Sequence, residues 1–412
     1  MMMKSILRQI LSTVAFLRNS SFILLFLLTG NYHQAVEKQT DSRANENDLS
    51  FMYTHVASFT SDYAGYMEQK IDSLLIRRGF NGSVMVAHQG QAVYNKTFGH
   101  SRFTETQRFA ENHNTFQLAS VGKQFTAVAT LMLFDRGIID LDDPVSKHIE
   151  KFPYEEITVR QLLNHTSGLQ NYFYVIDNHW NKDYLPTHQD MLDLFIARRL
   201  PLNFTPGRRF SYSNTGYAFL AMLVEAVSGE TFPDFVHKNI FHPLGMKNSF
   251  VFHPDMDMNE MSKNMNLAFG YERMGRRLRE IPVDFIDGIT GDKGIFSCTE
   301  DLLKWDNALE NDLLLNPQTK ALAFDNGRLR SGTPVNYGFG YRLKSSAGQR
   351  VVYHNGWWRG FRTAYVRLPE NTLIVVLNNT NASIIGLENQ IQKIMETFSD
   401  PRFGEPRLMA LN

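Results

Sequence analysis

The sequence predicts an α+β fold in which an antiparallel sheet is flanked by helices and carries an inserted, mostly helical lobe. Three observations lead there. Period-two alternation in SVMVAHQGQAVYNKTFG, residues 83–99, gives two short strands across a turn at Gln89 to Gln91. Strand patterns return only late, in YGFGYRL, RVVYHNG, FRTAYVRL and NTLIVVLNN, the last two separated by Pro369 and Glu370. Between these blocks the pattern is helical at 120–136, 158–164, 189–199, 215–228 and 301–310, and stretches near 62–78 and 384–398 could cover a sheet. A chain that starts and finishes on one sheet, with helices between, forms two lobes, and the cleft between lobes is the first place to look for chemistry.

Taken in order, the chain opens with Lys4, Arg8 and Arg18 ahead of the apolar run FILLFLLTG at 22–30. A basic region before a short apolar one is the layout of a signal peptide or N-terminal membrane anchor, here residues 1–30. It points to an exported protein, periplasmic or anchored to the cell membrane facing outward. Residues 31–50 are polar and form a flexible tether. Residues 51–400 are expected to be one domain, its sheet lobe from about 60–100 and 335–400 and its helical lobe about 101–334, followed by a tail at 401–412.

Composition excludes some roles. Lys plus Arg equal Asp plus Glu at 42 each, so no net field favours nucleic acid or an anionic surface. Cys298, the one cysteine, forms no intrachain disulfide, and no Cys/His spacing matches a structural zinc site. A core of this size needs neither.

Chemistry concentrates in three short fragments. In QLASVGK, 117–123, a helix starting at Ser120 puts Lys123 one turn on and on the same face. A serine needs a base to take its proton, and a helix N-terminus disfavours a nearby cation, which suits a lysine in that role. Alone, S-x-x-K is weak, because Ser120 could simply cap the helix. In FSYSNTGYAFLAMLVEAVSG, 210–229, Tyr212 and Asn214 precede an apolar helix; the tyrosine could relay a proton and the amide could meet a substrate carbonyl. In VVYHNGWWRGF, 351–361, Gly356 at a strand end permits close backbone approach, so a ligand could lie along the strand. The N–H of Trp357, with that of Ser120, would then stabilise an oxyanion, and His354 would offer a donor to a substrate carboxylate or carbonyl.

Together, Ser120-Val-Gly-Lys123, Tyr212-Ser-Asn214 and His354-Asn355-Gly356 resemble the three signatures of the serine β-lactamase and penicillin-binding protein superfamily. The resemblance is to its class C β-lactamase-related branch, with D-Ala-D-Ala carboxypeptidases, D-aminopeptidases and esterases. LLNHTSGL at 162–169, HPLGM at 242–246 and GDKGIFSCTEDLLKW at 291–305 extend it over about residues 60–398. It implies a β-lactamase-like fold and a serine hydrolase working through an acyl-enzyme, with Ser120 as nucleophile, Lys123 as base and Tyr212 as proton shuttle. Asn214 would orient the substrate amide. His354 stands where many members carry the lysine of K-T-G, and Asn355 replaces its hydroxyl, which favours peptidase or esterase chemistry over β-lactam hydrolysis. No metal or cofactor is required. The expected substrates are D-amino-acid peptides or esters, including cell-wall peptides; the alternatives are a β-lactamase and a non-catalytic peptide-recognition protein.

Other features carry less. The methionine-rich HPDMDMNEMSKNM, 253–265, reads as a cleft-edge loop rather than a soft-metal site. Tyr172, Phe173, Tyr174 and Trp180 fit either a substrate pocket or loop anchoring. Asn164-His-Thr166 matches a glycosylation sequon, and Cys298 reads as a core residue.

Overall fold

The computed structural model describes residues 65, 68–77, 79–275, 277–346, 349–380 and 393–394. The leader or anchor, the tether, the tail and most of the 384–398 helix lie outside the described residues. Six strands form the main sheet: β1 Gly82–His88, β2 Gln91–Phe98, β3 Arg342–Ser346, β4 Gln349–Trp358, β5 Phe361–Leu368 and β6 Thr372–Asn378. Their order is β3-β4-β5-β6-β1-β2, and every pairing is antiparallel. The early hairpin thus joins the late strands through β1 and β6, in register from Gly82 opposite Asn378 to His88 opposite Thr372. YGFGYRL departs from expectation: it becomes strand only at Arg342, while Tyr337, Phe339 and Tyr341 are buried without forming one.

Burial explains why β1 and β6 read as near-continuous apolar runs. Val84, Val86, Ile374 and Val376 pack with Ile71 and Leu75 of the helix at 68–77. Met85, Ala87, Leu373, Val375 and Leu377 face the large core on the other side. Strands covered on both faces need no polar alternation.

The helices that matter to the site are α1 Lys123–Asp135, α2 Val159–Leu163, α3 Tyr172–His179, α4 His188–Arg198, α5 Asn214–Ser228 and α6 Thr299–Glu310. In α1 every residue from Lys123 to Leu133 is buried, and in α5 every one from Thr215 to Val224, so both run through the core instead of lying on it. Trp305 of α6 stacks on Phe125 of α1 with ring centroids 4.1 Å apart. A small sheet of Phe116–Gln117, Ile295–Ser297 and Phe250–Val251 sets the approach to α1. The helical pattern beginning at Ser120 is refined accordingly: Ala119–Gly122 is a tight 3₁₀ turn, and the α-helix proper begins at Lys123. Among the described residues no helix is long and apolar enough to cross a membrane.

Candidate active site

Ser120 is presented by a strained turn. Ala119, just before it, adopts φ +51°, a left-handed conformation unusual for a residue with a Cβ. The turn is held from two sides: Leu118 N–H donates to Ile295 O at 2.8 Å, and Thr363 Oγ1 donates to Leu118 O at 2.6 Å. Gly356 of β4 packs directly on it. A Cβ built there would lie 2.1 Å from Thr363 Oγ1 and 2.4 Å from Leu118 O. The close approach that Gly356 permits is therefore made by the protein's own turn at Leu118 and Ala119, where the sequence suggested a ligand.

Lys123 is fully buried, and its Nζ has three acceptors: Asp292 O at 2.7 Å, Asn214 Oδ1 at 2.8 Å and Ser120 Oγ at 3.1 Å. The structure brings Ser120, Lys123 and Asn214 together, as the sequence suggests, and shows an additional contact of Asn214. Asn214 orients the lysine with its carbonyl oxygen, which leaves its amide N–H groups for the cleft. It is free to do so because Ser213 caps α5, accepting from Gly216 N–H at 3.2 Å. Asp292 in GDKG was not singled out. Its backbone carbonyl reaches Lys123 because Gly291 packs against α5 where a Cβ would lie 2.6 Å from Tyr217 O.

Tyr212 places its ring 5.1 Å from Lys123 Nζ. Its hydroxyl is buried and has no hydrogen-bond partner. Arg342 stands over the same ring at 5.0 Å, and His165 stacks against it at 4.3 Å. His165 accepts from Ser213 N–H through Nδ1 at 3.1 Å, while its Nε2 is buried without a partner. Burial first, then Lys123, His354 and Arg342, push its pKa well below the usual histidine value, so it is neutral.

His354 needs correction. It is fully buried, Nδ1 lies 2.8 Å from Asn355 O and Nε2 lies 3.0 Å from Tyr337 Oη. A carbonyl can only accept, so Nδ1 carries the proton and Nε2 accepts from the tyrosine. Burial, with Arg342 and Lys123 nearby, holds its pKa well below the usual value. His354 thus presents neither a charge nor a spare donor to the cleft; it braces β4 from behind. Asn355 is half-buried, and its carbonyl is the one His354 engages.

Trp357 is 60% exposed at the cleft, with Arg362 over its ring at 4.1 Å. The β4–β5 hairpin closes through Arg359 and Gly360, both at positive φ (41° and 85°), a two-residue type I′ turn. Such a turn makes Trp358 and Phe361 a hydrogen-bonded pair, so the Trp357–Arg362 pair is non-bonded and the Trp357 N–H points to the opposite edge. That edge is open, because β3 pairs with β4 only as far as Tyr353.

The cleft encloses about 640 Å³ and is lined by Ser120, Asn214, Phe173, Lys293, Trp357 and Trp358, with Glu272 and Arg279 at its lip. The lip is a hairpin, Tyr271–Met274 with Arg277–Glu280, that the sequence reading missed. Lys293 is a second buried lysine on this cleft, donating to Tyr172 Oη at 3.0 Å, Ile286 O at 2.9 Å and Ile289 O. Of the aromatic cluster, Tyr172 is buried and donates to Asp292 Oδ1 at 3.0 Å, Phe173 lines the cleft and Tyr174 is exposed. Asn164 and Thr166 are buried and bonded to each other at 2.7 Å, which closes the sequon to modification in the folded protein. Among the described residues one set of possible metal ligands converges, His113, Cys298 and Glu300 within 4.8 Å, and none of them lines the cleft. Its thiol is buried and its proton held tightly by that burial.

The family model described as Beta-lactamase matches residues 65–384. The chain is 32% identical to Penicillin-binding protein 4* of Bacillus subtilis over 351 residues, covering 83% of this chain and 76% of that protein. It is 29% identical to a D-aminopeptidase of Brucella anthropi, covering 69% of this chain but only 53% of that protein. A solved penicillin-binding protein from Bacillus halodurans superposes with a TM-score of 0.66 at 26% identity, covering 78% of this chain and 98% of that one.

Proposed function

From the premise that the chain belongs to the beta-lactamase family of acyl-enzyme serine hydrolases, we propose that Ser120 is its acylated residue and that Lys123 is the base. The observation that carries this is the ring of partners around Lys123 Nζ. Asn214 Oδ1 and Asp292 O suffice to hold the two protons of a neutral amine, which leaves its lone pair directed at Ser120 Oγ, 3.1 Å away. Ser120 Oγ attacks the substrate carbonyl while its proton passes to Lys123. The N–H groups of Ser120 and Trp357 receive the negative oxygen. Tyr212, whose buried hydroxyl has no partner within the protein, delivers a proton to the leaving group and afterwards helps activate the water that clears the acyl-enzyme.

The substrates are peptides, amides or esters, and among them D-amino-acid peptides or esters fit best. The D-aminopeptidase and penicillin-binding relatives support that choice, and so does His354, which supplies no fixed cation for a β-lactam carboxylate. The basic and apolar segment at 1–30 supports export, to the periplasm or the outward face of the membrane, where cell-wall peptides would be met.

The test is to treat the full chain with a fluorophosphonate and, separately, with a penicillin, then read intact mass and map the adduct. An adduct on Ser120 that disappears in Ser120→Ala is expected. A folded chain that takes up neither reagent, or takes one up elsewhere, would leave the cleft as a peptide-binding site.

A further inference from the structure

Beside the catalytic cleft lies a second chamber of about 450 Å³, which shares Ile281 and Arg359 with it as walls. Most of its lining is apolar, including Leu185, Phe252, Met256, Met258, Phe269 and Phe296. The methionine-rich segment thus has a place: two of its methionines form one side of this space, and Met is the side chain best able to adapt to varied apolar shapes.

Polar side chains break the apolar lining at Arg102, Asp257, Asn259, Glu280 and Asp287 and at two further residues, Gln117 and Arg359, each of which has a polar atom without a partner. Gln117, three residues before Ser120, is 93% buried by its 7% exposure, and its Oε1 has no hydrogen-bond partner. Arg359 Nε is likewise buried and unpartnered; the closest carboxylate oxygen recorded for it, Asp287 Oδ2, is 3.9 Å away. Leaving a buried acceptor and a buried donor unmet is unfavourable, because each has given up its hydrogen bond to water. Both residues line the chamber, and Arg359 also pairs through Nη2 with Asp284.

We propose that this chamber is the specificity subsite of the enzyme, and that it receives a bulky apolar side chain of the substrate together with one peptide amide. The amide N–H is accepted by Gln117 Oε1, and its carbonyl is met by Arg359 Nε–H. One secondary amide supplies the acceptor and the donor that these two groups lack, whereas a plain hydrocarbon would leave both unmet. The proposal rests on the acyl-transfer reading for which end of the ligand is cut, but the binding step can be observed without turnover.

Calorimetric titration of the full-length Ser120→Ala protein with N-acetyl-D-phenylalaninamide and N-acetyl-D-alaninamide separates binding from chemistry. The phenylalanine compound is expected to bind at least tenfold more tightly. Val283→Trp, at a half-exposed wall position that can accept a larger side chain, should abolish that preference by filling the chamber. Gln117→Leu, similar in shape but without the acceptor, should weaken the phenylalanine amide about tenfold and O-acetyl-D-phenyllactamide, in which an ester oxygen replaces the secondary amide N–H, much less. Equal affinities for the two amides in the parent, or a preference that survives Val283→Trp, would overturn the subsite. Turnover in the Ser120-containing protein reports separately: selective binding without turnover would sink the acyl-transfer reading and leave the chamber standing.

Discussion

Two buried lysines stand beside one cleft, Lys293 in its lining and Lys123 behind Ser120 and Asn214, and their surroundings differ. Lys123 and Lys293 are both almost inaccessible to solvent, and both have three hydrogen-bond acceptors. For Lys123, two of the three are side chains, and one of those is Ser120, the proposed nucleophile. For Lys293, two are main-chain carbonyls, Ile286 O and Ile289 O, and the third is a tyrosine hydroxyl that Asp292 already engages. Asp292 joins the two centres, giving its backbone oxygen to Lys123 and its carboxylate to Tyr172, with Lys293 Nζ 3.8 Å from that carboxylate. A buried ammonium surrounded by fixed carbonyls staples a loop. A neutral lysine amine beside a hydroxyl that can lose its proton is placed to act as the proposed base. What surrounds the nitrogen, more than its depth, assigns the role.

The largest effect that could break this contrast is on rate. Lys123→Met should lower kcat by about 10³-fold, within the range for loss of a general base, while Lys293→Met should retain far more of it; steady-state kinetics on a p-nitrophenyl ester compares them. If both lose rate equally, the distinction is wrong. Next is stability. Lys293→Met leaves two carbonyls and the Tyr172–Asp292 pair without their cation and should cost about 3 kcal/mol in a denaturant titration. Tyr212→Phe sharpens the picture further: it should slow turnover about 10²-fold, yet leave stability unchanged or raised, since the hydroxyl it removes is buried without a partner.

The smallest effect is pH dependence. His165 and His354 surround the Lys123 side and are held neutral by burial. Below the ordinary value of 6.5 the unfolded chain gains protons that the folded one refuses, so each costs about 1.4 kcal/mol per pH unit as the solution is acidified. Near GDKG, His188 bonds Glu225 at 2.8 Å and Thr290 O at 3.1 Å. Burial opposes its protonation, but Glu225 outweighs this and its pKa is raised, so its contribution is present at low pH and fades as pH rises through that value. Denaturant midpoints between pH 7 and 5 should fall less steeply in His354→Gln and more steeply in His188→Gln.

The sequence made much of this legible because the decisive signals were local. Ser120 and Lys123 are one turn apart, and strand and helix periods placed β1, β2, β4, β5, β6 and the core helices within a few residues. What it could not show depended on distant chain. Nothing near Asp292 reveals that its main-chain oxygen faces a lysine 169 positions earlier. His354 looked like a cleft donor because local pattern cannot show that Tyr337 would take its ring nitrogen. The reason for Gly356 was likewise hidden, since the backbone it makes room for, at Leu118, is brought there by the fold. The lip hairpin is short and mostly polar, and such strands have too few apolar residues to show a period.

The junction of β1 with β6 has a consequence for how the protein is made. These two interior strands of the sheet are joined across most of the chain; His88 bonds Thr372 at 2.9 Å over a separation of 284 residues. A ribosome delivers β1 early, and that strand must wait for almost all the rest before its other side is paired. Contacts of such long range make folding slow, because loop closure precedes any reward. Under the export proposed above, that delay is useful: the strand that completes the sheet emerges among the last, so the chain remains extensible while it is being moved.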